Sequence, residues 1–371
     1  MLADNKYNFL YFLSWICSFV IVVYHYVWFF NIFDYQDNPF LNYLIIRQEY
    51  GPNFVWFYWA ISGFIFTNSV FDNTSSNFKN FFSKLFRKFY PLHILTLLTI
   101  CTLQLISYLL LGHTQLEFKH DIYHFILHLF FASDWGLHNG FSFNAPVWFM
   151  SILIPIYLFA FFTSKYLVKM RAIFPILIIF LIYIFLPKIL NIFFENSQLF
   201  NKWQQLAAFN FRQCFFYFYL GSILYFFFNK IISLNLVKFK YSFTLLLLSG
   251  VIFSIYLLNF NKFEILEILP STIMLFSCLI ILFANLDYLS NFSFYKINLL
   301  NNTSYSIYLW HFPFQVIVLT LFEYYELDII ILKNIIIFLA FIILLILFSF
   351  LSYFYYEKPL SNKISCFIKK K

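Results

Sequence analysis

Ten apolar runs, each about as long as a bilayer-crossing helix, alternate with shorter polar connections along this chain. They cover about 8–30, 53–71, 90–112, 146–164, 173–192, 208–228, 241–258, 267–286, 303–323 and 330–354. The pattern predicts an all-α polytopic membrane protein of about ten transmembrane helices, each satisfying its own backbone polar groups in hydrocarbon. The first run is too long for a removable leader and lacks a small-residue cleavage site, so it is expected to remain. No internal repeat, Pro-rich linker or appended soluble stretch breaks the series. Residues 1–371 are therefore expected to form a single membrane domain.

Composition sharpens this reading. The chain is 62% hydrophobic and only 11% charged, where soluble domains average about 25% charged residues. A net charge of +8 invites a nucleic-acid partner, but the basic residues sit between the apolar runs, so membrane topology accounts for them and no nucleic acid is expected. With the N-terminus in the cytoplasm and ten crossings, 17 of the 24 Lys and Arg fall inside. They are Lys6, the Lys79–Lys84–Arg87–Lys88 group, Lys165, Lys169, Arg171, Lys230, Lys238, Lys240, Lys296 and five lysines from Lys358 to Lys371. Asp34, Asp37, Glu49, Glu117, Asp121, Asp134, Glu323, Glu326 and Asp328 all fall outside. The expected topology is N-in, C-in. The five cysteines are isolated, in no metal or redox spacing, and read as buried thiols.

Against this background, ionisable groups within the runs stand out. His25 lies in the first, 17 residues beyond its start at Asn8, or roughly 26 Å into the membrane at 1.5 Å per residue. An ionisable residue in such a place marks a functional site by default, and histidine exchanges a proton near neutral pH. The alternative is a neutral, hydrogen-bonded histidine at headgroup level. The longest external connection, 113–145, carries Glu117, His120, His124 and His128 at helical spacing. Such spacing suits a metal site or an amphipathic interfacial helix with its polar face in water and Ile122, Phe125, Leu127 and Leu129 turned to lipid or protein. No second ligand motif accompanies it, so the interfacial reading is adopted and no metal is expected.

Further runs are polar or small where a mere span is apolar. Ala60-Ile61-Ser62-Gly63-Phe64 in the second suggests a close helix–helix contact. A cytoplasmic loop carries Lys84, Arg87 and Lys88 before Tyr90-Pro91. The fourth run opens with Asn144, Pro146, Trp148 and Ser151, and the ninth reads SYSIYLWHFP from Ser304 to Pro313. Ser304, Tyr308 and His311 share a helical face there, and Pro313 frees the carbonyl of Leu309 one turn earlier. Tyr355-Tyr356-Glu357-Lys358-Pro359-Leu360 follows the last run.

Taken in this order, from His25 to Leu360, these stretches resemble the acyltransferase-3 family of integral membrane O-acyltransferases. The SYSIYLWHFP and YYEKPL segments are the most specific. The resemblance implies transfer of an acyl group, commonly acetyl from acetyl-CoA or another acyl-CoA, to a hydroxyl of a carbohydrate or lipid-linked glycan, in the bacterial inner membrane among its lipids. No bound cofactor is expected; acyl-CoA is a co-substrate. His25 takes the position of the family's catalytic histidine and is the candidate general base. Lys84, Arg87 and Lys88 are candidates for the coenzyme A phosphates. Asn144, Trp148, Ser151, Ser304, Tyr308 and His311 either line the substrate path or support it.

Two positions depart from the family pattern. Ser14 stands where an Arg precedes the histidine by eleven residues, and Leu153 stands where the Trp-Ser-x-Ser-x-Glu stretch has its Glu. Lys88 replaces an Arg and loses the bidentate fork suited to phosphate. A divergent substrate and a lost activity both fit these changes. A glycan or lipid-linked sugar transporter or flippase is the rival class, although no paired interrupted helices are visible in corresponding halves.

Overall fold

The computed structural model describes residues 7–30, 51–72, 77–115, 119–194, 202–234, 240–260, 265–289 and 295–369. Lys6, Asp34, Asp37, Arg47, Glu49, Glu117, Lys238, Lys262, Lys370 and Lys371 lie outside them. Thirteen α-helices follow one another among the described residues, with no strand. They are α1 (Asn8–Phe29), α2 (Gly51–Asp72), α3 (Phe78–Leu111), α4 (Ile122–Leu129), α5 (Trp148–Phe162), α6 (Ser164–Met170) and α7 (Ile173–Phe194). After these come α8 (Lys202–Ser233), α9 (Lys240–Phe260), α10 (Ile265–Leu289), α11 (Tyr295–Tyr324), α12 (Ile335–Ser352) and α13 (Lys358–Lys369). Among the described residues, eight helices are long and apolar enough to cross a membrane. Helices α7 and α9 carry the shorter apolar stretches Ile173–Tyr183 and Ser242–Tyr256.

The centre of the molecule is the pair α1 and α11, flanked by α2, α3, α10 and α12. The N-terminus of α1 is fixed from outside the helix. Asp287 on α10 accepts from the backbone N–H groups of Phe9 at 2.8 Å and Leu10 at 3.2 Å, placing an anion where the first turn has donors to spare. Helix α8 lies against α2, and only glycine fits at two points of that contact. A Cβ on Gly63 would sit 1.8 Å from the carbonyl oxygen of Phe218, and one on Gly221 would sit 1.9 Å from that of Ala60. The small residues expected at a helix contact are therefore where the two backbones touch.

The segment Lys79–Lys88, read above as a loop, is instead the first third of α3. Asn77 caps it by accepting from Asn80 N–H. Phe78, Phe82, Phe86 and Tyr90 then pack ring against ring in sequence, four residues apart. The lysines and arginine dilute mean hydropathy but leave this apolar stripe intact, which is why an apolar-run reading starts the helix late. The tenth span likewise begins at Ile335 rather than near 330, because Asn334 caps it after a 3₁₀ turn over Ile329–Lys333. Among the cysteines only Cys17 and Cys214 are buried; Cys101 and Cys278 are half-buried, and Cys366 is exposed on the amphipathic α13.

The histidine helix α4 also departs from expectation. His124 and His128 are buried, while Ile122, Tyr123 and Ile126 are exposed. Its polar face turns into the protein, not into water. His128 Nε2 meets Ser142 Oγ at 3.0 Å, and its backbone carbonyl accepts from His93 Nε2 at 2.7 Å. Asp121 accepts from both the backbone N–H and the ring of His124. Polar partners inside the fold, rather than solvent, thus decide which face is buried.

Candidate active site

Each polar side chain of the ninth-run motif, now on α11, has a distinct partner. Ser304 Oγ bonds Ser18 Oγ at 2.8 Å and reaches the carbonyl of Ser14, tying α11 to α1. Tyr305 OH donates to Phe89 O on α3, and Ser306 Oγ donates to Glu357 at 2.6 Å. Tyr308 OH donates to Pro146 O at 2.8 Å, and Trp310 Nε1 donates to Ser352 on α12 at 2.9 Å. These bonds fix α11 in rotation and height among four neighbouring segments.

That placement sets the imidazole of His311 on that of His25. The rings are stacked, with centroids 4.9 Å apart and planes within 5°. His311 Nδ1 bonds the carbonyl of Tyr308. A carbonyl only accepts, so Nδ1 carries the hydrogen and Nε2 presents its lone pair. Among the described residues no hydrogen-bond partner is seen for His311 Nε2 or His25 Nδ1. Two imidazoles with nitrogens to spare suit proton transfer.

Proline residues free backbone acceptors around this pair, and side chains fill them. Pro313 removes the amide that Leu309 O would accept from, and Asn144 Nδ2 donates to that oxygen at 3.4 Å. Pro155 does the same to Ser151 O, which accepts from Trp135 Nε1 at 2.8 Å. Ser151 Oγ in turn accepts from Asp134 N–H at 3.1 Å. Asn144 and Ser151 are therefore supports, while Trp148 stands in a cavity wall.

Two cavities approach the α1–α11 pair from opposite ends. One, of about 400 Å³, is lined by His25, Tyr308, Trp148, Trp56, Asp134 and His138, among others. The other, of about 290 Å³, is lined by Ser14, Ser304, Arg87, Lys88, Glu357 and Lys358, among others. Ser304 and Tyr308 are one helical turn apart, about 6 Å along α11, so the cavities come within a turn of each other. Of the three basic residues expected to meet coenzyme A phosphates, Arg87 and Lys88 line the second cavity and Lys84 does not. Ser14 does line it, where the family pattern has a cation. Leu153 is buried in the main core.

The sequence reading missed Asp134, His138 and Asn210, and assigned no role to Glu357 or Lys358. Asp134 accepts from Asn210 Nδ2 at 2.8 Å and lies 3.5 Å from His138 Nε2. Burial pushes its carboxyl up to about 7, offset in part by the Asn210 bond. Burial lowers His138 to about 4, with the charge of His124 adding to the shift. A Gly136 turn with φ +74° packs against Gln204 and brings this loop onto α8. An Asp and a His four residues apart in the most polar connection between apolar runs were the available signal. Glu357 ends a π-helical turn over Tyr353–Glu357, a feature that recurs at functional sites. Among the described residues no group of three His, Cys, Asp or Glu side chains is arranged to hold a metal.

The family model for an acyltransferase domain, that of the acyltransferase-3 family, matches residues 8–354. No curated protein and no solved structure matches the chain.

Proposed function

Since the chain belongs to the acyltransferase-3 family and is a multi-pass membrane acyltransferase, we propose that it moves an acetyl group from acetyl-CoA to a sugar hydroxyl. The acceptor is a surface or lipid-linked glycan, and the site is the bacterial inner membrane with both termini in the cytoplasm. The observation that carries this reading is the pair of cavities that come within one turn of each other along α11, one basic and one lined by His25.

Arg87 and Lys88, joined by Lys358, meet the phosphates of acyl-CoA at the cytoplasmic end. The thioester passes Ser304 toward Tyr308. His25 takes the proton of the acceptor hydroxyl, the alkoxide oxygen attacks the thioester carbonyl, and coenzyme A leaves as thiolate. Direct transfer suits a chain without a G-x-S-x-G nucleophile turn. His311 holds the His25 ring face and offers a second lone pair beside it.

The test is purified protein with labelled acetyl-CoA and membrane glycan, paired with mass spectrometry of surface polysaccharide from a deletion strain. An acetyl mass lost in the strain and restored by the wild-type gene, but not by His25→Ala, is the expected result. Equal modification by wild type and His25→Ala overturns the mechanism. No acetylation by either moves the chain to an inactive relative or to the transporter reading.

A further inference from the structure

The His25 cavity holds more polar chemistry than proton removal requires. Asp134 is 3% exposed yet lines that cavity. Asn210 and His138 engage two sites of a carboxylate that can accept about four hydrogen bonds. Next to it, Ser133 also lines the cavity, is nine-tenths buried, and its hydroxyl has no hydrogen-bond partner among the described residues. The indoles of Trp56 and Trp148 supply apolar faces in the same walls. Burying a carboxylate costs free energy unless it is compensated. Joining the loop to α8 needs only an amide, so the remaining acceptor capacity points to a ligand.

We propose that Asp134 anchors a neutral sugar ring, accepting from a hydroxyl adjacent to the one that His25 deprotonates, with Ser133 bonding the same ring and a tryptophan stacked on its apolar face. The inference rests on the acyl-transfer reading and names the acceptor class of that site. Neutrality follows from the lining, which contains no Lys or Arg among the described residues. Lys119 packs its side chain beside Gly140 and donates its backbone N–H to Phe141 O without itself lining the cavity, and Arg212, on a different face of α8 from Asn210, stacks over Tyr183 and Phe209. A uronic acid ring would therefore bring its carboxylate to Asp134 without a counterion, at the cost of like-charge repulsion.

The experiment measures binding rather than transfer. Full-length protein in nanodiscs is titrated with methyl α-glucopyranoside, methyl α-galactopyranoside, methyl α-rhamnopyranoside and methyl glucuronoside, and separately with acetyl-CoA. At least one neutral glycoside should bind, and the glucuronoside should bind about tenfold more weakly or worse. Asp134→Asn should weaken the neutral glycoside about tenfold or more, as loss of a charge-assisted bond requires, while acetyl-CoA binding stays unchanged. Ser133→Ala should weaken it by a smaller factor, which keeps a readout if the Asn variant misfolds. Absence of neutral-glycoside binding in protein that binds acetyl-CoA overturns the proposal. So does equal binding of the glucuronoside, or unchanged affinity in both variants. Neutral-glycoside binding without acetyl-CoA binding supports the sugar site and counts against the donor half of the transfer reading.

Discussion

Asn144 Nδ2 donates to the carbonyl oxygen of Leu309, the acceptor that Pro313 strips of its helical partner. Both groups are buried, so the bond replaces one that the chain itself removed. Asn144→Leu should leave that oxygen unsatisfied and lower stability by about 1–3 kcal/mol. In a Pro313→Ala background the substituted residue supplies a backbone amide again, and Asn144→Leu should then cost clearly less. Thermal unfolding of the two single variants and the double variant checks this. Equal losses in both backgrounds would mean that Asn144 acts by some other contact.

His25 has its ring stacked on His311 and lines the larger cavity. His25→Ala should reduce acyl transfer by about 10²–10⁴-fold with expression and membrane insertion intact. His25→Gln should do no better, because an amide cannot take a proton at neutral pH. His311→Ala should cost less than His25→Ala, since it removes a neighbour and leaves the proposed base. A glycan acetylation assay at matched expression ranks the three, and a larger loss at His311 would exchange their roles.

The basic end separates by position. Arg87 and Lys88 line the smaller cavity and Lys84 does not. Neutralising the first two should raise the acyl-CoA concentration needed for half-maximal rate by about tenfold or more, as expected for charge-assisted phosphate contacts of about 1.5–3 kcal/mol each. Lys84→Ala should leave it within about twofold, as for a surface charge that does not line the cavity. A steady-state titration of acetyl-CoA decides, and equal effects at all three positions would reduce them to topology signals.

Much of this was legible in the sequence, for identifiable reasons. Helix-length apolar runs and the stretches holding His25, Gly63 and Ser304–Pro313 are local patterns, and the structure places a helix over each run, eight of them, among the described residues, long and apolar enough to cross a membrane. Asp134 was legible only as one of an Asp–His pair four residues apart. Its surroundings come from Asn210 on α8 and Ser151 on α5, contacts that no sequence spacing encodes. The burial of His124 and His128 was hidden for the same reason: an amphipathic helix has the same pattern whichever face meets the protein. The basic start of α3 was hidden by averaging charge over an aromatic stripe.

Asp134 also predicts a pH dependence. Burial raises its folded-state value to about 7, above the ordinary value of about 3.9 in the unfolded chain. The folded protein binds this proton more tightly, so the contribution is full below about pH 4 and is lost as pH rises toward 7. Wild type should lose stability over that window with a slope of at most about 1.4 kcal/mol per pH unit from this group. Asp134→Asn should flatten that slope in thermal unfolding measured from pH 4 to pH 7.5. Parallel profiles would show that the carboxyl does not titrate there.

For the histidine helix the expectation is structural. His128→Leu should leave Ser142 and the His128 side of the cavity without a polar partner, at a cost of about 1–3 kcal/mol. Activity of the wild type should be insensitive to chelators. A stoichiometric metal in purified protein, lost on substituting His124 and His128, would contradict this.

The facing glycines of α2 and α8 act as a gauge block. Each admits the other helix's carbonyl oxygen where a single methyl group would not fit, so the spacing between the two backbones has one setting. Both cavities are hung from that setting. Helix α2 contributes Trp56 to the His25 cavity and Tyr58 and Ser62 to the basic one, while α8 carries Asn210. A substitution at Gly63 or Gly221 lies in neither cavity wall, yet it would move the walls of both cavities together, so that an apparent loss of chemistry would be a change of bore.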